Sequence, residues 1–355
     1  MSQGNGVIAL SKIKFDGFTG LLIGVVILAS VSPCRGVVAE GFAIATAAAI
    51  MLLFFMHGAK LSRQAMKQGL SAWRVHLTVI VSTFVLFPLL GQIMAIVPAS
   101  ILDPQIRAGL VYLSILPSTV QSSIALTAIA GGNVAAAVCS ASLSNILGVF
   151  FTPALATILM PSGRSGGQAR DVGAAVLNIA STLLLPFVLG HLSRRWTASV
   201  VDRHKTFLMR LDRGSILLVV YTAFSAAVVA GLWQRISAFD LGLILAFDAV
   251  LLALVLLITT IAARLSGLSK SDEIVVVFCG SKKSLASGVP MAAALFPVAQ
   301  LGTILLPLMF FHQLQLIVCA VLARRYAASL DVVTPSPADS IPSQTNVSLL
   351  RQETK

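Results

Sequence analysis

Apolar residues run along the chain in long stretches, and short polar links separate them. A helix needs about 20 apolar residues, at 1.5 Å rise each, to cross the hydrocarbon core of a bilayer. Ten stretches fit: 17–35, 37–58, 74–97, 107–130, 133–160, 172–194, 213–234, 239–265, 272–296 and 301–325. The pattern predicts ten membrane-spanning helices. Strands are excluded because the stretches are too long and do not alternate with period two. The first begins at Phe18, behind Lys12 and Lys14. Because further stretches follow at once, it reads as a first span and not as a cleaved signal.

Lysine and arginine give an independent test. With the N-terminus taken as cytoplasmic, the inner links hold 16 of them before the C-terminal tail, and the outer links hold five: Arg35, Arg107, Arg164, Arg170 and Arg235. This inside bias alternates through all ten spans, and one span more or fewer would scramble it. A multi-pass protein of the cell inner membrane with both termini in the cytoplasm is expected. Composition agrees: 57% of the 355 residues are apolar and 11% charged, against roughly 25% charged in a soluble domain. The formal charge of +12 lies in links with little aromatic interleaving, which argues for topology and against nucleic acid. Cys34, Cys139, Cys279 and Cys319 are scattered without CxxC or metal-ligand spacing, so neither disulfides nor a metal site is expected.

The link 161–171 divides five spans from five, and 331–355 is a polar, Pro/Ser-rich stretch. The expected organisation is a cytoplasmic segment 1–16, a first five-helix repeat 17–160, a periplasmic linker 161–171, a second repeat 172–325 and a disordered tail 326–355. An odd number of spans per half makes the repeats inverted if they share a fold. The fourth span of each half carries a polar interruption: Pro117-Ser118-Thr119-Val120-Gln121-Ser122-Ser123 in one, Gly280-Ser281-Lys282-Lys283-Ser284 and Gly288-Val289-Pro290 in the other. Broken backbone survives at membrane depth only where it is buried in protein or lines a cavity. Paired interruptions at matching places point to a binding site near the midplane.

Lys282 and Lys283 fall about ten residues into the ninth span, roughly 15 Å deep. Each uncompensated ammonium there costs about 2.5–3.5 kcal/mol. Asp248, at similar depth in the eighth span, is the expected ion-pair partner for one lysine, leaving the other for an anionic ligand. His57, His191 and His312 read as interfacial or packing residues, with a proton relay as the alternative reading and His312 the first of them to mutate. No HExxH, Walker loop or GxSxG is present, so neither enzymatic activity nor a cofactor is expected.

These residues carry a resemblance. The chain resembles the bile acid:sodium symporter superfamily over about 15–325, on Phe54-Phe55-Met56-His57-Gly58-Ala59-Lys60-Leu61, Pro117–Ser123, Gly132-Asn133-Val134-Ala135, Thr152-Pro153 and Gly280-Ser281-Lys282-Lys283-Ser284-Leu285-Ala286. The resemblance implies an all-α membrane fold of ten helices in two inverted repeats. Spans one, two, six and seven would form a panel, and the rest a core in which broken helices four and nine cross. It also implies substrate bound between panel and core. Where sodium-coupled members have an Asn in the fourth span, this chain has Ser122 and Ser123. Their shared glutamate falls near Phe278, the following Gln-Asn on Lys282-Lys283, a third-span glutamine near Thr83, and fifth-span hydroxyls on Ala137 and Ala141. A sodium site needs oxygen ligands and negative charge, so the usual sodium sites are not expected to operate. Titration of a lysine or of Asp248 would permit proton coupling.

The expected function is secondary active transport of a small or amphipathic organic anion by alternating access, within the lipid bilayer. Lys282 or Lys283 would hold the negative group, and Ser118, Thr119, Gln121, Ser122, Ser123, Ser281 and Ser284 would give polar contacts. Asp248, Thr83 and Asn133 complete the candidate substrate- or ion-binding set. Sodium or proton coupling and direction stay open. The rival is a non-transporting membrane regulator acting through protein partners, for which the basic link Arg194–Arg213 would be the surface.

Overall fold

Helix is the only regular structure among residues 17–60, 71–98, 100–160 and 183–331, which are those the computed structural model describes. The segment 1–16, the linker 161–171, the first part of the sixth span and the tail beyond 331 lie outside them. In chain order the helices are α1 (Gly17–Val31), α2 (Gly36–Lys60), α3 (Trp73–Val81), which continues through a π turn at Ser82–Leu86 into α4 (Phe87–Met94), α5 (Pro104–Ser114), α6 (Gln121–Ile129) and α7 (Val134–Leu159). Then follow α8 (Leu185–Arg203), α9 (Lys205–Val229), α10 (Leu232–Arg235), α11 (Ala238–Leu265), α12 (Lys270–Gly280), α13 (Leu285–Leu295) and α14 (Val298–Asp331).

Six described helical runs are long and apolar enough to cross a membrane: Gly36–Ala59, Trp73–Met94, Val134–Leu159, Thr206–Val229, Ala238–Leu265 and Val298–Ser329. The other four expected spans differ for identifiable reasons. The fourth and ninth are each split into two half-helices, α1 has 15 residues, and the sixth begins outside the described residues. Large apolar side chains such as Ile27, Val38, Ile44, Leu245 and Leu257 face outward. Such a surface suits hydrocarbon and would aggregate in water. The chain is a multi-pass membrane protein.

Two groups of helices are evident. In the first, α1 packs on α9 and α2 packs on α8 and α9. Glycine sets the α2–α8 distance: a methyl group at Gly58 would fall on the carbonyl oxygen of Phe187, and one at Gly190 on that of Phe55. Close backbone approach of this kind is what small residues allow in membranes. The second group holds α3–α7 and α11–α14, and α9 makes the extensive contacts to it, through α13 and α14.

Two boundaries differ from expectation. The basic stretch Arg194–Arg213 is helical on both sides of His204, because α8 and α9 extend beyond their apolar parts. No Gly or Pro interrupts 194–213, so nothing stops the helices where hydrocarbon would end. The last helix continues past residue 325 to Asp331. Tyr326 holds it there, stacking edge-on against Phe278 at 6.1 Å and donating its hydroxyl to Glu273 Oε1 at 2.9 Å.

Candidate functional site

The site grows from two breaks. Pro117 has no N–H and disfavours helix at the residue before it, so α5 ends at Ser114 and α6 starts only at Gln121. The second break separates α12 from α13 at Ser281–Ser284, where the Ser284 hydroxyl caps α13 by accepting from Ser287 N–H at 3.1 Å. Each break frees backbone groups that must find partners in a water-poor interior.

The partners come largely from the other break. Ser284 N–H donates to Pro117 O at 2.9 Å. Ser118 Oγ donates to Cys279 O at 2.6 Å, Ser123 Oγ to Phe278 O at 3.0 Å, and Ser82 Oγ to Gly280 O at 2.8 Å. Helix α7 supplies the rest for the first break. Ser144 Oγ accepts from Ser118 N–H, Asn145 Nδ2 donates to Ser118 O, and Thr152 Oγ1 donates to Ile115 O, at 2.7–3.0 Å.

Lys283 is the central tie. Its ammonium, wholly buried, donates to Ser114 O at 2.7 Å, Leu116 O at 2.7 Å and Thr83 O at 2.9 Å, and lies 4.0 Å from the centre of the Phe87 ring. Thr83 O is available for a local reason. In the π turn, Phe87 N–H donates to Ser82 O, and the next residue, Pro88, has no N–H to offer. Gln315 on α14 pairs with both backbone groups of Lys283: Oε1 accepts from its N–H and Nε2 donates to its carbonyl, each at 2.9 Å. Lys282 is equally buried, but its Nζ has no hydrogen-bond partner; the Phe278 ring, 5.9 Å away, and the thiols of Cys279 and Cys319 face it. Asp248 is buried with neither oxygen bonded. The expected Asp248–lysine ion pair does not form, because Lys283 is directed into carbonyls and Asp248 faces the Phe311 backbone.

Between the two helix groups lies a cavity of about 340 Å³. One wall carries Thr119, Gln121 and Ser122 at the start of α6, Ser284 and Ser287 at the start of α13, Ser142 and Asn145 from α7, and His312 from α14. The facing wall carries Leu53, Phe54 and His57 of α2, Phe187 of α8, and Met209, Asp212, Arg213 and Ile216 of α9. Of the residues singled out by sequence, Thr119, Gln121, Ser122 and Ser284 line this cavity. Ser118 and Ser123 stitch the breaks behind it, and Thr119 Oγ1 bonds the hydroxyls of Ser122 and Ser123 at 2.8 and 2.9 Å. Ser281 donates to Val277 O, and the Thr83 hydroxyl to Val79 O. Asn133 caps α7 and donates to Asp272 at 3.0 Å. Neither lysine lines the cavity.

Sequence reading passed over Arg213, which it counted as a topology charge, and favoured an interfacial or packing role for His57 and His312 over a proton relay. A signal for Arg213 exists: Met209, Asp212, Arg213 and Ile216 share one helical face by their spacing. Arg213 also lies 5.4 Å over the Phe18 ring.

Comparison with known proteins gives concordant results. Residues 16–328 match the model of the SBF-like CPA transporter family. The chain is 54% identical over 311 residues to "Putative symporter YfeH" of Escherichia coli K12, covering 88% of this chain and 92% of that one. It is 27% identical over 278 residues to sodium/bile acid cotransporter 7 of Rattus norvegicus, covering 77% and 80%. It is 26% identical over 282 residues to sodium/bile acid cotransporter 7-A of Xenopus laevis, covering 77% and 80%.

Proposed function

The chain belongs to the SBF-like CPA transporter family, and on that premise we propose that it carries a small or amphipathic organic anion across the inner membrane by alternating access. The observation that carries the reading is the convergence of two half-helix N-termini, α6 and α13, on one cavity opposite Arg213. A helix N-terminus bears about half a positive charge, and α6 and α13 present theirs beside hydroxyls of Thr119, Ser122, Ser284 and Ser287. A carboxylate or sulfonate fits between them and the guanidinium. The apolar side, with Leu53, Phe54, Phe187 and Ile216, suits a carbon skeleton.

The proposed architecture is ten spans in two inverted repeats, 17–160 and 172–325, with both termini cytoplasmic. Helices α1, α2, α8 and α9 would be the panel and the remainder the core, with the two interrupted spans crossing at its centre. The mutual hydrogen bonding of the breaks supports that arrangement. The Lys283 ammonium sits among three carbonyl oxygens, where it stands in for a bound cation. Coupling is accordingly assigned to protons and not to sodium.

The test is uptake by proteoliposomes of a panel of organic anions, with sodium or choline outside. Wild-type protein is expected to move one class equally in both salts. Arg213→Gln removes a charge-assisted contact and is expected to lower kcat/KM about tenfold to hundredfold. Unchanged kinetics in that variant would remove Arg213 from the site. Folded protein that moves no anion, yet co-purifies a specific partner, would replace transport with the regulator reading.

A further inference from the structure

Gln315 cannot turn its amide around. Its Oε1 accepts from Lys283 N–H and its Nε2 donates to Lys283 O, and a flip would set donor against donor and acceptor against acceptor. Its second amide hydrogen is then directed to His312 Nδ1, 3.0 Å away. The backbone of the second break therefore fixes the histidine tautomer: Nδ1 accepts, and the proton of the neutral ring is on Nε2. His312 also lines the cavity.

We infer that His312 is the proton-binding residue that links the cavity to the second break. A second proton can enter the ring only at Nδ1, where it meets the amide hydrogen of Gln315 head on. Either the imidazolium leaves Gln315, or Gln315 leaves the backbone of Lys283. Both loosen the segment whose side chain ties α5 and the π turn together. The charged and titratable groups around the same cavity are His57 on α2 and Asp212 and Arg213 on α9. On α11, Asp248 faces the adjoining Phe311; in the second break the Lys282 amine faces Phe278, Cys279 and Cys319, and the Lys283 amine is directed away into its carbonyls. This inference gives the proton of the proposed transport cycle its residue and rests on that reading for its role. The switch itself does not require transport.

The experiment uses the full chain in nanodiscs without substrate. First, ¹⁵N-histidine spectra of wild type, assigned by the signal lost in His312→Gln, are expected to show an unprotonated Nδ1 at pH 8. An Nδ1–H tautomer overturns the inference. Second, hydrogen–deuterium exchange is followed in the peptide spanning 281–287, at about pH 5.5 and 8, either side of the ordinary histidine range, with intrinsic rates corrected. Wild type is expected to exchange roughly fivefold faster at the lower pH. His312→Gln should be insensitive to pH, and Gln315→Leu fast at both. An acid response that persists in His312→Gln, or is missing in wild type, overturns it. If the switch is found but proteoliposomes move no anion, the transport reading fails and the switch stands.

Discussion

Lys282 and Lys283 are neighbours in the chain and equally buried, yet the two sides of the second break that receive them are opposites. On the Lys283 side, three carbonyl oxygens and an aromatic face converge on the ammonium. On the Lys282 side are Phe278, the thiols of Cys279 and Cys319, and no hydrogen-bond partner. Burial of a charge by itself therefore says little about its role; the atoms that answer it decide. The Lys283 side is a tie that joins α12–α13 to α4 and α5. The Lys282 side is a charge held in an apolar setting at a net cost.

Four substitutions probe this contrast, each read as a shift of the thermal unfolding midpoint in detergent. Lys283→Met should cost the most, about 3–5 kcal/mol, because Ser114, Leu116 and Thr83 carbonyls lose their shared donor inside the protein. If it unfolds no earlier than wild type, the tie is not structural. Gln315→Leu comes next, at about 2–3 kcal/mol, since the N–H and carbonyl of Lys283 are both orphaned. Lys282→Met should go the other way and raise stability by about 2 kcal/mol, the scale of relieving an uncompensated ammonium in hydrocarbon. A loss there would mean that Lys282 is answered by something other than the ring. The smallest effect, about 1 kcal/mol, is expected for Ser118→Ala, which removes one hydroxyl between Cys279 O and the first break.

The interruptions at Pro117 and at Gly280–Ser284 were legible because Pro, Gly and clustered hydroxyls inside an apolar stretch are tolerated only where the backbone is rearranged and re-bonded. Thr119, Gln121, Ser122 and Ser284 could be placed near the site for the same reason. What surrounds Lys283 could not be read, since backbone carbonyls have no letter in a sequence: Leu116 and Ser114 contribute main-chain oxygen, and Thr83 offers its carbonyl while its hydroxyl turns to Val79. Arg213 was hidden among basic neighbours that the sequence reading counted as topology charges. Gln315 was one of three amides in a long apolar helix, and its importance depends on a contact 32 residues away. The Asp248–lysine pair failed as an expectation because depth along two helices fixes only one coordinate; the direction in which each side chain leaves its helix fixes the others.

The crossing of α2 and α8 has one more implication. With the carbonyls of Phe55 and Phe187 seated where a single methyl would collide, those two rods have no slack, and in the proposed cycle they swing as one lever. On the proposed transport reading, cargo would pass by slippage along the greasy seam between Leu53, Ile216 and Val149, so a bulkier residue in that seam should jam the machine without unfolding it.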